Sequence, residues 1–283
     1  MATFNPNNFI RQINNPYFPL KPGTTFVYKT PDGSEIVRTT VTHETKKVLG
    51  VTCIVVLDRA FVDGELVERT RDYYAQDKNG NVWYFGEAAR NFENGEFLNT
   101  DGSWLAGVNG ATPGIIMKGH PHVGDRYDQE NAPGIAEDRA KIVSLDSTKT
   151  VPHGGFQHVL VTAETNPLEP GFLERKYYAP GIGLVLAIDV LTGDREELVN
   201  IIRADRDNFN FRDLRHAAKA EDSSRAPEAS RTPHHVQPKG DADQHRGDHG
   251  ATWHNSHDAA DALLSPATHG LGSHSAHAMF IDL

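Results

Sequence analysis

From Thr24 onward, apolar and polar residues alternate in short runs, and each run ends at a turn dipeptide. "TTFVYKT" meets "PDGS" and "EIVRTTVTHET" follows. "GVTCIVVLDRAF" meets "VDGE", and "LVERTRDYYAQD" meets "KNGN" before "VWYFGE". A two-residue period places alternate side chains on opposite faces of a strand. Asp-Gly and Asn-Gly supply the positive φ angles of tight hairpins. The pattern therefore predicts antiparallel strands joined in sequence.

Residues 88–123 break the pattern, being rich in Gly and Asn with Trp104 and "GIIM" as apolar anchors. They read as long loops with one or two short strands. Alternation returns in "DRYDQE", "AEDRAKIVSLD", "FQHVLVTAETN", "FLERKYYAP", "GLVLAIDV" and "REELVNIIR". The expected fold is all-β, a strongly coiled antiparallel sheet or β-barrel-like domain of about ten to twelve strands, since closure or coverage removes exposed edges. Helix is expected only as a turn or two near Pro6 to Ile13.

Composition changes the picture after about Arg206. There the β-branched and aromatic residues give way to Ala, His, Asp, Ser, Gly and Pro, so only residues 1–205 can bury a core. Residues 206–283 are expected to be a low-complexity, mostly disordered tail with a short helix at 252–264. The formal net charge of −10 argues against nucleic-acid partners. No apolar run has the roughly 18 residues of a transmembrane segment. The opening "MATFNPNNFIRQINNP" lacks a basic n-region and an apolar h-region, so it does not read as a cleaved secretory signal. The single cysteine, Cys53, alternates with Val51, Val55 and Leu57 and is expected on an apolar strand face.

Two runs resemble a known family. "NPYFPLKPGTTFVY" at 15–28 and "KYYAPGIGLVLAID" at 176–189 look like the opening and closing signatures of a bacterial family of uncharacterised β-rich proteins, in which the two pair as strands. "QDKNGNVWYFGE", "GSWLAGVNGATPGIIM" and "AED" are similar to its intervening segments. The resemblance spans about residues 15–203 and implies a lipoprotein-carrier-like or lipocalin-like barrel in an envelope or exported protein.

Candidate chemistry is sparse. Strict alternation in "NVWYFGE" puts Trp83, Phe85 and Glu87 on one face, where an acid beside two aromatics suits a desolvated general acid or base. Oxygen-rich groups occur at Tyr127, Asp128, Glu130, Glu137 and Asp138, and at Glu169 and Glu174 beside Arg175 and Lys176. Such groups suit Ca²⁺. His120 and His122 in "GHPHVGD" are two apart and could pair on Zn²⁺. In the tail, His254, His257, Asp258 and Asp261 fall at helical spacing, a pattern for Zn²⁺ or Ni²⁺.

No nucleophile elbow, phosphate loop, dinucleotide fingerprint or zinc-protease motif occurs. The reading is a non-catalytic binding protein holding a small apolar or amphipathic ligand, with Trp83, Phe85, Trp104 and Tyr127 as ligand contacts. The alternative is an acid/base enzyme, a hydrolase or isomerase using Glu87, Glu130 and Glu174. The tail also suggests secretion by a leaderless route through type I machinery, with a cytoplasmic location as the alternative. After Lys239 its one basic residue is Arg246, against six aspartates, and it ends in "MFIDL".

Overall fold

The computed structural model describes residues 5–204. After a 3₁₀ turn at Pro6–Asn8 come β1 (Phe9–Ile10), β2 (Ile13–Asn15), β3 (Phe18–Leu20), β4 (Thr24–Lys29), β5 (Glu35–Val48), β6 (Val51–Val62), β7 (Glu65–Asp77) and β8 (Val82–Glu87). The irregular middle holds β9 (Asn91–Glu93), β10 (Glu96–Asn99), β11 (Trp104–Leu105) and β12 (Gly114–Met117). The second half supplies β13 (Arg126–Asp128), β14 (Arg139–Val151), β15 (Gly154–Thr165), β16 (Glu174–Ala179), β17 (Gly183–Asp189) and β18 (Arg195–Arg203).

All the ladders are antiparallel, and every long strand anticipated from alternation is present. Among the described residues the strands number eighteen rather than ten to twelve, because short pieces form in the glycine-rich middle and at the start. The hairpin turns use the dipeptides that favour them, with Asp63 and Gly64 at φ 51° and 88°.

Hydrogen bonding orders the main sheet β10-β9-β7-β6-β5-β4-β18-β17-β16-β15-β14-β13, with β8 on the β7 edge and β11 and β12 on β8. The sheet curls without closing into a barrel. No ladder joins β12 to β13, although Thr112 donates its backbone N–H to the Asn131 carbonyl at 2.9 Å across that gap.

Tyr28, Tyr74, Tyr84 and Tyr178 are fully buried in the core, and Tyr28 donates its hydroxyl to the Leu184 carbonyl at 3.1 Å. The β2–β3 hairpin packs onto this core through Phe18, whose ring meets Tyr74 edge-on at 5.4 Å. Gln76 fixes the hairpin, its Oε1 accepting from the backbone of Asn14 and Asn15. The two runs behind the family resemblance touch here through that Tyr28–Leu184 bond and through the Gly181 N–H, which donates to the Pro16 carbonyl at 2.7 Å. They do not pair as strands: β4 takes β18 as its ladder partner, not β17. Cys53 is wholly buried, and burial pushes its thiol pKa up to about 12, which suits a small core residue.

Candidate functional site

The face of β8 is decided by one glycine. Asp72 of β7 pairs with Glu87, yet Tyr74 pairs with Tyr84, so β8 carries one extra residue between these partners. Gly86 sits in that bulge at φ 126°. A bulge re-aims the residues beyond it. Glu87 therefore shares a face with Tyr84, Tyr74 and Asp72, which corrects the alternation that grouped it with Trp83 and Phe85. Those two aromatics turn the other way, onto Phe9, at ring distances of 6.2 and 5.5 Å. Phe85 is fully buried, and the Trp83 indole N–H donates to Asp77 Oδ2 at 2.9 Å. Both are thereby committed to the fold.

Glu87 instead lines a cavity of about 310 Å³. One wall is β11 and its loop, with Trp104, Leu105 and Val108; the other is Pro133 and Ile135. β11 is positioned by its register on β8, Trp104 opposite Glu87 and Leu105 opposite Gly86. The far wall is a tight reverse turn bridged between Ala132 and Ala136. Val108 and Ile135 are 48% and 44% exposed, so the rim is apolar and open to solvent.

Below the cavity is a polar aromatic network. Tyr84 stacks on Tyr74 at 4.6 Å and meets Trp104 edge-on at 5.3 Å. The Trp104 indole N–H donates to Glu130 Oε1 at 3.2 Å. The Tyr84 hydroxyl lies 2.8 Å from both Asp72 Oδ1 and Glu87 Oε2. A phenol has one proton to donate. Its one proton serves either carboxylate, so the hydroxyl ties Asp72 and Glu87 together beside the cavity.

Of the other residues singled out in the sequence, Glu130 joins this network through Trp104, and the rest lie elsewhere. Glu174 sits on β16, its Oε2 3.5 Å from Lys176 Nζ, with Glu164 Oε2 at 3.3 Å on the other side. Tyr127 lines a separate cavity of about 500 Å³ with Arg126, Asp128, Arg139 and Lys141, and burial raises its hydroxyl pKa. His120 and His122 are exposed in a loop, where the His122 N–H caps Asp125 at 3.0 Å. Among the described residues no three His, Cys, Asp or Glu converge to hold a metal ion, so the Ca²⁺ and Zn²⁺ expectations have no preformed site there. His254, His257, Asp258, Asp261, the helix at 252–264, the boundary near 205 and the secretion-like terminus lie outside the described residues. Nor is any helix among the described residues long and apolar enough to cross a membrane.

Asp72 and Tyr84 escaped the sequence reading. The signal was a glycine inside a strand, a mark of a bulge, which reverses every face assignment after it. Glu196 was legible in principle, since it lies two residues from the buried Leu198 on the same strand.

No family model matches the chain, and no curated protein matches it. A solved structure of a candidate lipoprotein from Parabacteroides distasonis is similar at 14% identity, over 66% of this chain and 98% of that one, with a TM-score of 0.36. A likeness of that size carries no argument about function.

Proposed function

We propose that this chain is a non-catalytic binding protein that holds a small apolar or amphipathic ligand in the Trp104 cavity. The observation that carries the reading is the cavity's make-up: aliphatic and aromatic walls, an open apolar rim, and the single carboxylate of Glu87 anchored by Tyr84. Few polar groups in an apolar cleft fix orientation without performing chemistry. Its volume of about 310 Å³ sets a small ligand, near the lower end of such sites.

The neutral fluorophore N-phenyl-1-naphthylamine tests this. It should brighten on binding the full chain, and Ile135→Asp should weaken it about tenfold or more by placing a charge in the apolar wall. Ile135 is 44% exposed, so the variant keeps its fold. Equal binding by both proteins would place the fluorophore elsewhere.

A second reading, an acid/base enzyme, draws on one observation. Asp72 and Glu87 both lie 2.8 Å from the Tyr84 hydroxyl at the cavity floor, the close grouping of acids and a phenol that a proton-transfer site uses. The three carboxylates first considered for that role do not share the cavity, because Glu130 serves the Trp104 indole and Glu174 serves Lys176.

A further inference from the structure

The Trp104 cavity is apolar but not uncharged. Among the described residues that line it, Glu87 is the one ionisable side chain, and the other polar ones are Ser103 and Asn109. Ser103 is committed to the fold, its hydroxyl oxygen accepting from the Ala89 N–H at 2.9 Å and lying 3.3 Å from the Ala89 carbonyl. Asn109 is exposed on the loop after β11. Register sets Glu87 opposite Trp104, so the carboxyl group and the indole share the cavity with Leu105, Val108, Pro133 and Ile135.

The groups around that carboxyl are acceptors and rings. Glu87 Oε2 lies 2.8 Å from the Tyr84 hydroxyl, which stands at the same distance from Asp72 Oδ1. Tyr84 meets Trp104 edge-on, and the Trp104 indole N–H goes to Glu130. Three acids thus surround two aromatic rings, while no Lys, Arg or His is among the described residues lining the cavity. The other oxygen, Glu87 Oε1, lies on the side of exposed Gly102, 3.3 Å from where a Cβ there would sit. One carboxylate oxygen is therefore fixed at the floor and its twin faces the rim. The cavity beside Tyr127 has the opposite make-up, with Arg126, Arg139 and Lys141 against Asp128.

We propose that the Trp104 cavity selects a primary ammonium on a short apolar body, the nitrogen at Glu87 and the body against Leu105, Val108 and Ile135. This rests on the reading of the cavity as a ligand site and adds the ligand's charge. An ammonium brings three donors to a site that offers acceptors, and its bond to a carboxylate is charge-assisted. An indole wall adds attraction for a cation. A neutral head gains the burial of its body and little more, and a carboxylate head meets like charge. The volume of about 310 Å³ suits one ring and a short chain. A metal ion is a poorer match, since no three His, Cys, Asp or Glu converge to hold one among the described residues.

Calorimetric titration of the full chain at pH 7.5 with three ligands of one body tests the proposal: 2-phenylethylamine, 2-phenylethanol and 3-phenylpropionate. The amine should bind about tenfold or more tighter than the alcohol, and the acid should bind weakest. Glu87→Gln should erase the amine's advantage over the alcohol. In the parent itself the amine should shift the Trp104 indole cross-peak and leave that of Trp83 in place, which tests the placement without any variant. The proposal is overturned if the alcohol or the acid binds as tightly as the amine, if Glu87→Gln keeps the amine's advantage, or if the amine leaves Trp104 unmoved. Fluorophore binding that Ile135→Asp weakens, with no preference for the amine, would remove the ammonium and leave the ligand site. A chain that binds neither the fluorophore nor any of the three would remove both.

Discussion

Gly86→Ala should lower stability by about 3 kcal/mol or more, a fall in Tm of roughly 6–12 °C for a domain of this size. Two causes add. The residue sits at φ 126°, which an L side chain rarely adopts. A Cβ built there would also lie 2.4 Å from the Trp104 carbonyl oxygen and 2.8 Å from Leu105 Cα. Both are backbone atoms of the adjoining strand, so no rotamer change relieves the clash, and β11 must move. The same substitution should therefore abolish fluorophore binding, because β11 is a cavity wall. Gly33→Ala is the control, at φ 78° with nothing within 4 Å of its would-be Cβ, and should cost only about 1 kcal/mol. Chemical denaturation of the three proteins measures both numbers. A Gly86→Ala protein as stable as Gly33→Ala would mean that the bulge is not needed.

Lys176→Met should be comparably severe, costing about 3–5 kcal/mol at pH 8, because it leaves buried carboxylates without their cation. The sign of the pH dependence comes from Glu196. Its folded pKa is raised above the ordinary carboxylate value, so the folded state keeps a proton that the unfolded chain has lost. Stability from that group is present below the ordinary carboxylate range and is lost as pH rises through the raised pKa. Lys176 is the charge that opposes the shift, and removing it extends the losing window upward. The variant should thus be much nearer the parent at pH 4 than at pH 8. Urea melts at the two values check this, and an equal deficit at both would show that Lys176 acts by packing alone.

The sheet was readable because alternation and Asp-Gly or Asn-Gly joints are local signals. β5, β6 and β7 arise from "EIVRTTVTHET", "GVTCIVVLDRAF" and "LVERTRDYYAQD" almost residue for residue. The β5–β6 turn was less plain, for it places Leu49 at φ 48° before Gly50, a conformation that leucine does not advertise.

At the site, period-two reasoning picked out Glu87 and Trp104 but misjudged their companions. A single inserted residue at Gly86 exchanges the faces of the strand, moving Glu87 from Trp83 and Phe85 to Tyr84 and Asp72. The far wall, Pro133 and Ile135, comes from a segment 46 residues or more beyond Glu87. Only tertiary packing brings it there, and no local pattern encodes that. Glu196 was passed over because an acid in "REELVNIIR" reads as the solvated face, whereas its register with Ala187 and Lys176 turns it inward.

The central claim is that the Trp104 cavity is a ligand site, and the indole N–H resonances test it most directly. The chain has three tryptophans. Trp83 is held by Asp77 on the opposite face of β8, and Trp253 lies outside the described residues. Trp104 donates to Glu130 and lines the cavity. Titrating the ¹⁵N-labelled full chain with N-phenyl-1-naphthylamine should shift the Trp104 indole cross-peak in a saturable way and leave that of Trp83 in place. A saturable shift of Trp83 with Trp104 unmoved, or no shift in either while the fluorophore brightens, would contradict the account.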